Sequence, residues 1–321
     1  MMIETSELQL DLHELAGQLK LQAREMGFDL AGIAPADASA YRAYYRDWLD
    51  TGQHGTMEYL ARRFDERTDP RIYFPGAQSI LCVAMNYNVR LESPAAPGTG
   101  RVARYAQGED YHEIIKAKLH RLADWIRQKA PAAQTRCGVD TAPIMEKELA
   151  ARAGIGWVGK NTCLINPYIG SWLFLGEVLT TLPLLADDPA VDRCGTCTRC
   201  LHACPTGAIN PGTPYRLDAS KCISYLNIEH RGEIDPTFAQ QMDGWLYGCD
   251  ICQEVCPWNG RAPLTDEPGF QSRFSSGSVD LHQLLEWTPA QYQTTLRGSA
   301  MKRVKLPVLQ RNAGILLAGS R

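Results

Sequence analysis

The chain has 321 residues, 45% of them apolar and 21% charged, enough for one large hydrophobic core or for a large core and a small one. Its 33 Lys and Arg nearly balance 36 Asp and Glu, for a formal net charge of −3. That excludes a surface basic all over and confines any nucleic-acid contact to a local patch.

Residues 12–26 place Leu12, Leu15, Leu19, Ala23 and Met26 at helical spacing and stop at Gly27. Residues 28–34 read as a short strand and 38–49 as a tyrosine-rich helix. The run 79–85 (Ser-Ile-Leu-Cys-Val-Ala-Met) is continuously apolar and of strand length, suited to a sheet covered on both faces. Residues 91–100 carry two prolines and two glycines and read as a loop. A long amphipathic helix is predicted over 111–129, a strand over 135–139 and a helix over 146–153 ended by Gly154. The glycine-dense stretch 154–161 suits close approach of a large flat ligand, or is an ordinary turn. Residues 162–166 and 171–180 read as a hairpin around Pro167 and Gly170.

Near Asp187 the composition changes. A cysteine-rich stretch runs to about Asn259, followed by a Pro/Gly-rich stretch over 260–277. Residues 288–321 contain Arg297, Lys302, Arg303, Lys305, Arg311 and Arg321 and no acidic residue. The expected division is a catalytic α/β domain over 1–186, a cysteine module over 187–260 and a helical extension with a basic tail over 261–321. The N-terminus lacks the basic and apolar regions of a secretory signal, and the apolar run 171–186 is interrupted by Gly176, Glu177 and Pro183. A soluble, cytoplasmic protein without membrane attachment is expected, in which clustered cysteines serve as metal ligands.

Eight of the eleven cysteines fall between Cys194 and Cys256. Cys194, Cys197, Cys200 and Cys204-Pro205 form C-x2-C-x2-C-x3-C-P, the bacterial ferredoxin run for 4Fe–4S clusters, whose fourth cysteine ligates the other cluster. Cys249, Cys252 and Cys256-Pro257 repeat its last three positions, and Leu246 stands where the first would be. Cys222 completes the count. The swap gives one set of Cys194, Cys197, Cys200 and Cys256 and a second of Cys204, Cys222, Cys249 and Cys252. Structural zinc would not require two such repeats. Cys82, Cys137 and Cys163 sit in predicted strands and read as core residues.

A two-cluster module needs no long α/β domain in front of it, so an enzyme is favoured over a ferredoxin-like electron-transfer protein. Neither a GxGxxG after a strand nor a GxxxxGK[ST] occurs. Asp110-Tyr-His112 opens like the D-x-H-x-x-G motif for cobalamin, but Ile115 replaces its glycine, so His112 reads as a capping or surface residue. Asp140 lies at the C-terminal end of a predicted strand, where open α/β sheets place ligands, or serves as a helix N-cap.

Taken with Pro75–Ile80, Arg104–His112, Val139–Thr141, Arg152–Gly156, Lys160-Asn161, Cys222–Ser224 and Leu246–Asp250, these residues resemble the epoxyqueuosine reductase family of iron–sulfur and cobalamin enzymes, relatives of reductive dehalogenases. The resemblance implies a nitroreductase-like α/β (α+β) cobalamin domain followed by a ferredoxin-like module. It implies reduction of epoxyqueuosine to queuosine at the tRNA wobble position, with electrons passing from two 4Fe–4S clusters to base-off cobalamin that has no histidine ligand. By residue-wise matching, Arg67, Asp140, Leu164, Leu175, Ser224, Cys249 and Asp250 fall at cobalamin-contact positions, and Asp140 at that of the proton donor. Burial is expected to raise the Asp140 pKa so that it can donate.

The expected partners are a tRNA anticodon stem-loop and a donor such as flavodoxin or ferredoxin, acting on a monomer. Some family members continue past the region of Gln310–Ala313 into HEAT-like repeats, so tRNA contact here would fall to the basic tail. Lys147, Arg199, Arg297, Lys302, Arg303 and Lys305 are the candidate phosphate contacts, each otherwise a solvated charge. A corrinoid reductive dehalogenase is the alternative enzyme.

Overall fold

The computed structural model describes residues 11–90 and 96–319. Its organising element is the strand Ser79–Asn86, in which every residue is buried. Strand geometry sends alternate side chains to opposite faces. Leu81, Val83 and Met85 meet the helices Leu12–Glu25 and Tyr111–Lys129, while Ile80, Cys82 and Ala84 meet the helix Glu146–Arg152. Each fully buried Leu or Ile contributes roughly 1.5–3 kcal/mol, so a strand covered on both faces fixes the three-layer stack.

The sheet order is Leu30–Pro35, Ser79–Asn86, Leu173–Thr180, Thr135–Gly138, and every pairing is antiparallel. An apolar run reports coverage of both faces but not strand direction. Close layer packing depends on glycine at Gly32, where a Cβ would stand 2.0 Å from the Ala153 carbonyl oxygen. The helix Leu12–Glu25 starts on Asp11, whose carboxylate accepts from the amides of His13 and Glu14, and it stops at Gly27 with φ 87°.

Two local expectations are corrected. The hairpin expected of 162–166 and 171–180 closes only at one antiparallel bridge, Asn166 with Gly170, where the Asn166 side-chain oxygen also accepts from the amides of Tyr168 and Ile169. Beyond it the two arms part: Leu164–Ile165 pairs with Trp157–Val158, and Leu173–Thr180 joins the central sheet. The loop expected over 91–100 lies outside the described residues at 91–95, and its end enters a strand, Thr99–Val102.

That strand pairs in parallel with Trp245–Tyr247 and antiparallel with Ser278–Asp280. It carries Val102 and Ala103 into a second core shared with Leu226, Trp245, Leu281 and Leu309. Residues from all three sequence segments therefore share one interior. At its end the Arg104 amide donates to Asp250 Oδ2 at 2.8 Å, and the guanidinium packs over the Trp172 ring at 4.5 Å. The C-terminal helix Leu306–Gly319 buries Val308, Leu309 and Leu316. Arg311, counted in the basic tail, donates to the carbonyls of Leu226, His230 and Gly232 and is a structural clamp. Arg321 lies outside the described residues. Among the described residues no helix is long and apolar enough to cross a membrane.

Candidate active site

The strand Thr135–Gly138 runs into a turn that carries Asp140 at φ 49°. This left-handed conformation costs a non-glycine residue on the order of 1–3 kcal/mol unless its surroundings hold it. Two contacts do so. The Asp140 amide donates to Glu146 Oε1 at 2.5 Å, and Asp140 Oδ2 lies 3.0 Å from His112 Nε2. The other ring nitrogen, Nδ1, is 2.7 Å from Asp110 Oδ1, which also accepts from the His112 amide. One carboxylate thus caps the helix Tyr111–Lys129 and orients the imidazole. The Tyr111 ring stacks on His112 with centroids 4.1 Å apart.

Burial alone would lower the His112 pKa, but its hydrogen bonds to Asp110 and Asp140 outweigh that and push it up to about 9. Burial likewise works to raise Asp140, and the His112 hydrogen bond and charge hold it below the usual carboxylate range instead. The expected upward shift of Asp140 is therefore reversed. At neutral pH the proton of this pair resides on the imidazole. Beneath the turn, Glu146 and Glu177 are both shifted upward, by desolvation first and then by neighbouring carboxylates.

These groups open onto a cavity of about 1100 Å³. Tyr59, His112, Gly138 and Asp140 line it from the first segment, Cys222 and Ser224 from the cysteine module, and Lys302 and Arg303 from the C-terminal segment. His112 was legible only as a helix-opening residue, since its partner Asp140 is 28 positions away. The retrievable signal was Asp110, two residues ahead, at cap spacing.

The donor set suits two four-thiolate sites. Cys194, Cys197, Cys200 and Cys256 line one separate cavity of about 340 Å³, and Cys194 and Cys256 pack with Trp157 and Trp258 in one apolar cluster. Among the described residues, no three His, Cys, Asp or Glu side chains converge tightly enough for a single metal ion. Cubane corners need wider separation than a zinc shell. Cys222 and Cys249 each lie in the electrostatic reach of Cys204, and Cys252 in that of Cys222 and Cys249.

The glycine-dense stretch 154–161 turns out to brace this module. A Cβ on Gly156 would meet the Ile165 carbonyl oxygen at 2.3 Å, so glycine is needed for the hairpin itself. From it Trp157 Nε1 donates to Cys194 Sγ at 3.4 Å, and Lys160 Nζ donates to the carbonyls of Gly195 at 2.6 Å and Cys197 at 3.0 Å. Cys163, expected to be a simple core residue, hydrogen-bonds through sulfur to Cys252.

The other expected contacts are dispersed. Ser224 lines the large cavity with Asp140. Arg67 keeps a buried Nε without a hydrogen-bond partner and donates through Nη1 to the Ile144 carbonyl. Leu164 is buried in the core beside the helix Glu146–Arg152, and Leu175 packs against that core. Asp250 is buried on Arg104 with its pKa pushed up to about 6, burial outweighing the arginine. Cys249 is half-buried on the second core. Both ring nitrogens of His112 are engaged by carboxylates. The large cavity, with Ser224 and Asp140 on its wall, has the volume for a corrin-sized group, and Arg67 lies outside its lining.

Among the candidate phosphate contacts, Lys302 and Arg303 line the large cavity, and Arg303 pairs with Glu229 at 2.6 Å. Arg199 lines the smaller cavity, Lys147 donates to the Thr162 carbonyl, and Arg297 and Lys305 are exposed.

Residues 67–141 match the family described as "Epoxyqueuosine reductase QueG, DUF1730", and residues 193–259 match "4Fe-4S double cluster binding domain". The chain is 43% identical to the epoxyqueuosine reductase of Gloeobacter violaceus over 95% of its own length and 96% of that protein. It is similar to a crystal structure of epoxyqueuosine reductase with an epoxyqueuosine-modified tRNA stem loop (TM-score 0.89, 30% identity, 97% and 82% of the two chains). The Bacillus subtilis enzyme with its catalytic aspartate loop swung out of the active site aligns with a TM-score of 0.88 and 29% identity, over 97% and 82% of the two chains.

Proposed function

Because the chain belongs to the epoxyqueuosine reductase family, we propose that it reduces epoxyqueuosine to queuosine in tRNA, with Asp140 delivering a proton to the epoxide oxygen. The observation that carries this reading is the His112–Asp140 pair at the mouth of a cavity that also reaches Cys222.

Bound cobalamin would supply a low-valent, strongly nucleophilic cobalt toward an epoxide carbon, and the two clusters would supply electrons singly at low potential. Asp140 and Ser224 are the cofactor positions that the geometry supports, while the resemblance carries Arg67, Leu164, Leu175, Cys249 and Asp250. Of the two ligand sets, only Cys204, Cys222, Cys249 and Cys252 reaches the large cavity, through Cys222. That supports an electron order from the Cys194 set to the Cys222 set and then to the cavity.

The protein's own part is proton handling and positioning. Epoxide oxygen leaves readily only when protonated. His112 holds a proton at neutral pH and stands 3.0 Å from Asp140 Oδ2, so the carboxyl can receive it and pass it on as charge develops on oxygen. Asp110 keeps the imidazole aimed. The modified nucleotide must leave its stack to enter the cavity, and Lys302 and Arg303 are suited to its phosphates. Nucleoside mass spectrometry of epoxyqueuosine tRNA, after incubation with the reconstituted protein and a strong one-electron reductant, tests the reading. Queuosine should appear, and its absence with clusters and corrinoid bound would remove this assignment.

A further inference from the structure

We propose that Glu146 and Glu177, stacked beneath the catalytic turn, form a shared proton reserve that supplies the second proton of the reaction through Asp140. The inference rests on the proposed epoxide reduction. In that reaction both epoxide C–O bonds break, a C=C bond remains and oxygen leaves as water. The change consumes two electrons, delivered singly by the reduced clusters, and two protons. The His112–Asp140 pair holds one. The other is drawn from the carboxyls directly beneath Asp140 rather than from Tyr59 and Tyr111 on the cavity wall, whose hydroxyls burial makes still weaker acids.

Glu177 lies on the strand Leu173–Thr180 and is fully buried, and no donor group reaches either carboxylate oxygen, which leaves the Glu146 carboxyl as its neighbour. Its Oε2 stands 3.5 Å from where a Cβ on Gly138 would be, directly under the turn that carries Asp140. Glu146 opens the helix Glu146–Arg152, faces Glu177, and through Oε1 holds the Asp140 amide. The surrounding elements supply little compensating charge. From the sheet come Cys82, opposite Glu177 in register, and Asp140; from the long helix comes Tyr111. None is cationic. Lys147 and Arg152 are nearby but donate to the carbonyls of Thr162, Pro35 and Asp37. Among the described residues no ion pair reaches either glutamate. Glu177 is fully buried and Glu146 partly so, and burial together with the Asp140 charge outweighs the Lys147 charge on Glu146, so the pair retains a proton at neutral pH.

The arrangement also explains how the proton would be used. Once Asp140 has donated, a second negative charge would build up against Glu146. Proton transfer from the reserve relieves that repulsion and recharges Asp140 while the substrate is still bound. Glu146 and Glu177 touch neither substrate nor cofactor here, so they act as positioning and supply residues.

The test is infrared difference spectroscopy of the reconstituted protein between neutral and alkaline pH. A protonated-carboxyl band should be present at neutral pH, persist in Asp140→Asn, shift in each of Glu146→Gln and Glu177→Gln, and vanish when both glutamates are replaced together. Both glutamine variants are close isosteres, and the wild-type spectrum needs no variant at all. In turnover, each should be slower by on the order of 100-fold, with KM for tRNA unchanged and a changed alkaline limb of the pH profile. No band in the wild type, a band left unshifted by either single variant or surviving in the double variant, or wild-type turnover in both single variants would overturn the reserve. A band with no epoxyqueuosine reduction by the wild type would instead overturn the proposed activity, because the spectrum needs no substrate.

Discussion

His112 Nε2 and Asp140 Oδ2 stand 3.0 Å apart, joining the start of the longest helix to the turn after the last strand of the sheet. The contact sets where the reaction's first proton sits. It also gives the site a definite pH response. His112 is raised to about 9, so it is charged below that value and loses its proton as pH rises through it. Turnover should therefore fall with increasing pH across that range. In His112→Asn the limb assigned to this group should be missing and neutral-pH turnover lowered. A pH–rate profile identical to that of the wild type would separate the imidazole from catalysis.

Asp140→Asn keeps the side-chain size and removes the acid. Cluster and corrinoid absorbance should be unchanged, while turnover drops by on the order of 100-fold or more. Unimpaired conversion of epoxyqueuosine tRNA would sink the assigned role.

Cys222→Ser should lower iron from about eight to about four per chain, whereas Cys163→Ser should not change the iron count. Iron analysis after anaerobic reconstitution decides this. Full iron in Cys222→Ser would mean that the two ligand sets are drawn wrongly.

Trp157 Nε1 donates to Cys194 Sγ at 3.4 Å, and hydrogen bonds to cluster sulfur raise the reduction potential. Trp157→Phe keeps most of the packing against Trp258 but loses the donor. A redox titration followed by electron paramagnetic resonance should show one cluster shifted to lower potential and the other unmoved. If neither moves, the indole serves packing alone.

Arg303→Ala should weaken tRNA binding and reduce the slope of log Kd against log salt by about 0.7–0.9, the share of a single phosphate contact. Lys147→Ala, whose ammonium already serves the Thr162 carbonyl, should change the slope less. Equal effects would place the RNA path elsewhere.

What could be read from the sequence followed the range of the interactions. Cluster ligands repeat at fixed local spacing, and the run 79–85 is apolar at every position, so both were visible. His112 was not, because a capping histidine becomes part of a proton pair only through Asp140, brought to it by the fold. Glu177 looked like one more interruption in an apolar stretch, although its burial under Gly138 gives it meaning. Thr99–Val102 hid in a loop-like composition because its partners lie far along the chain. The expected hairpin closes at Asn166 and Gly170 and goes no further, because each arm finds a different partner strand.

The strand Thr99–Val102 has a consequence for the order of events during synthesis. Thr99 finds its neighbour only when Asp280 has been made, and Arg101 only when Trp245 has. A ribosome adds roughly 5–20 residues per second, so for several seconds the first half of the chain waits with this strand unpaired and cysteines emerging behind it. Iron–sulfur assembly should therefore be a late, post-translational event, and overexpression that outruns cluster supply should yield aggregated chains rather than folded, iron-free ones.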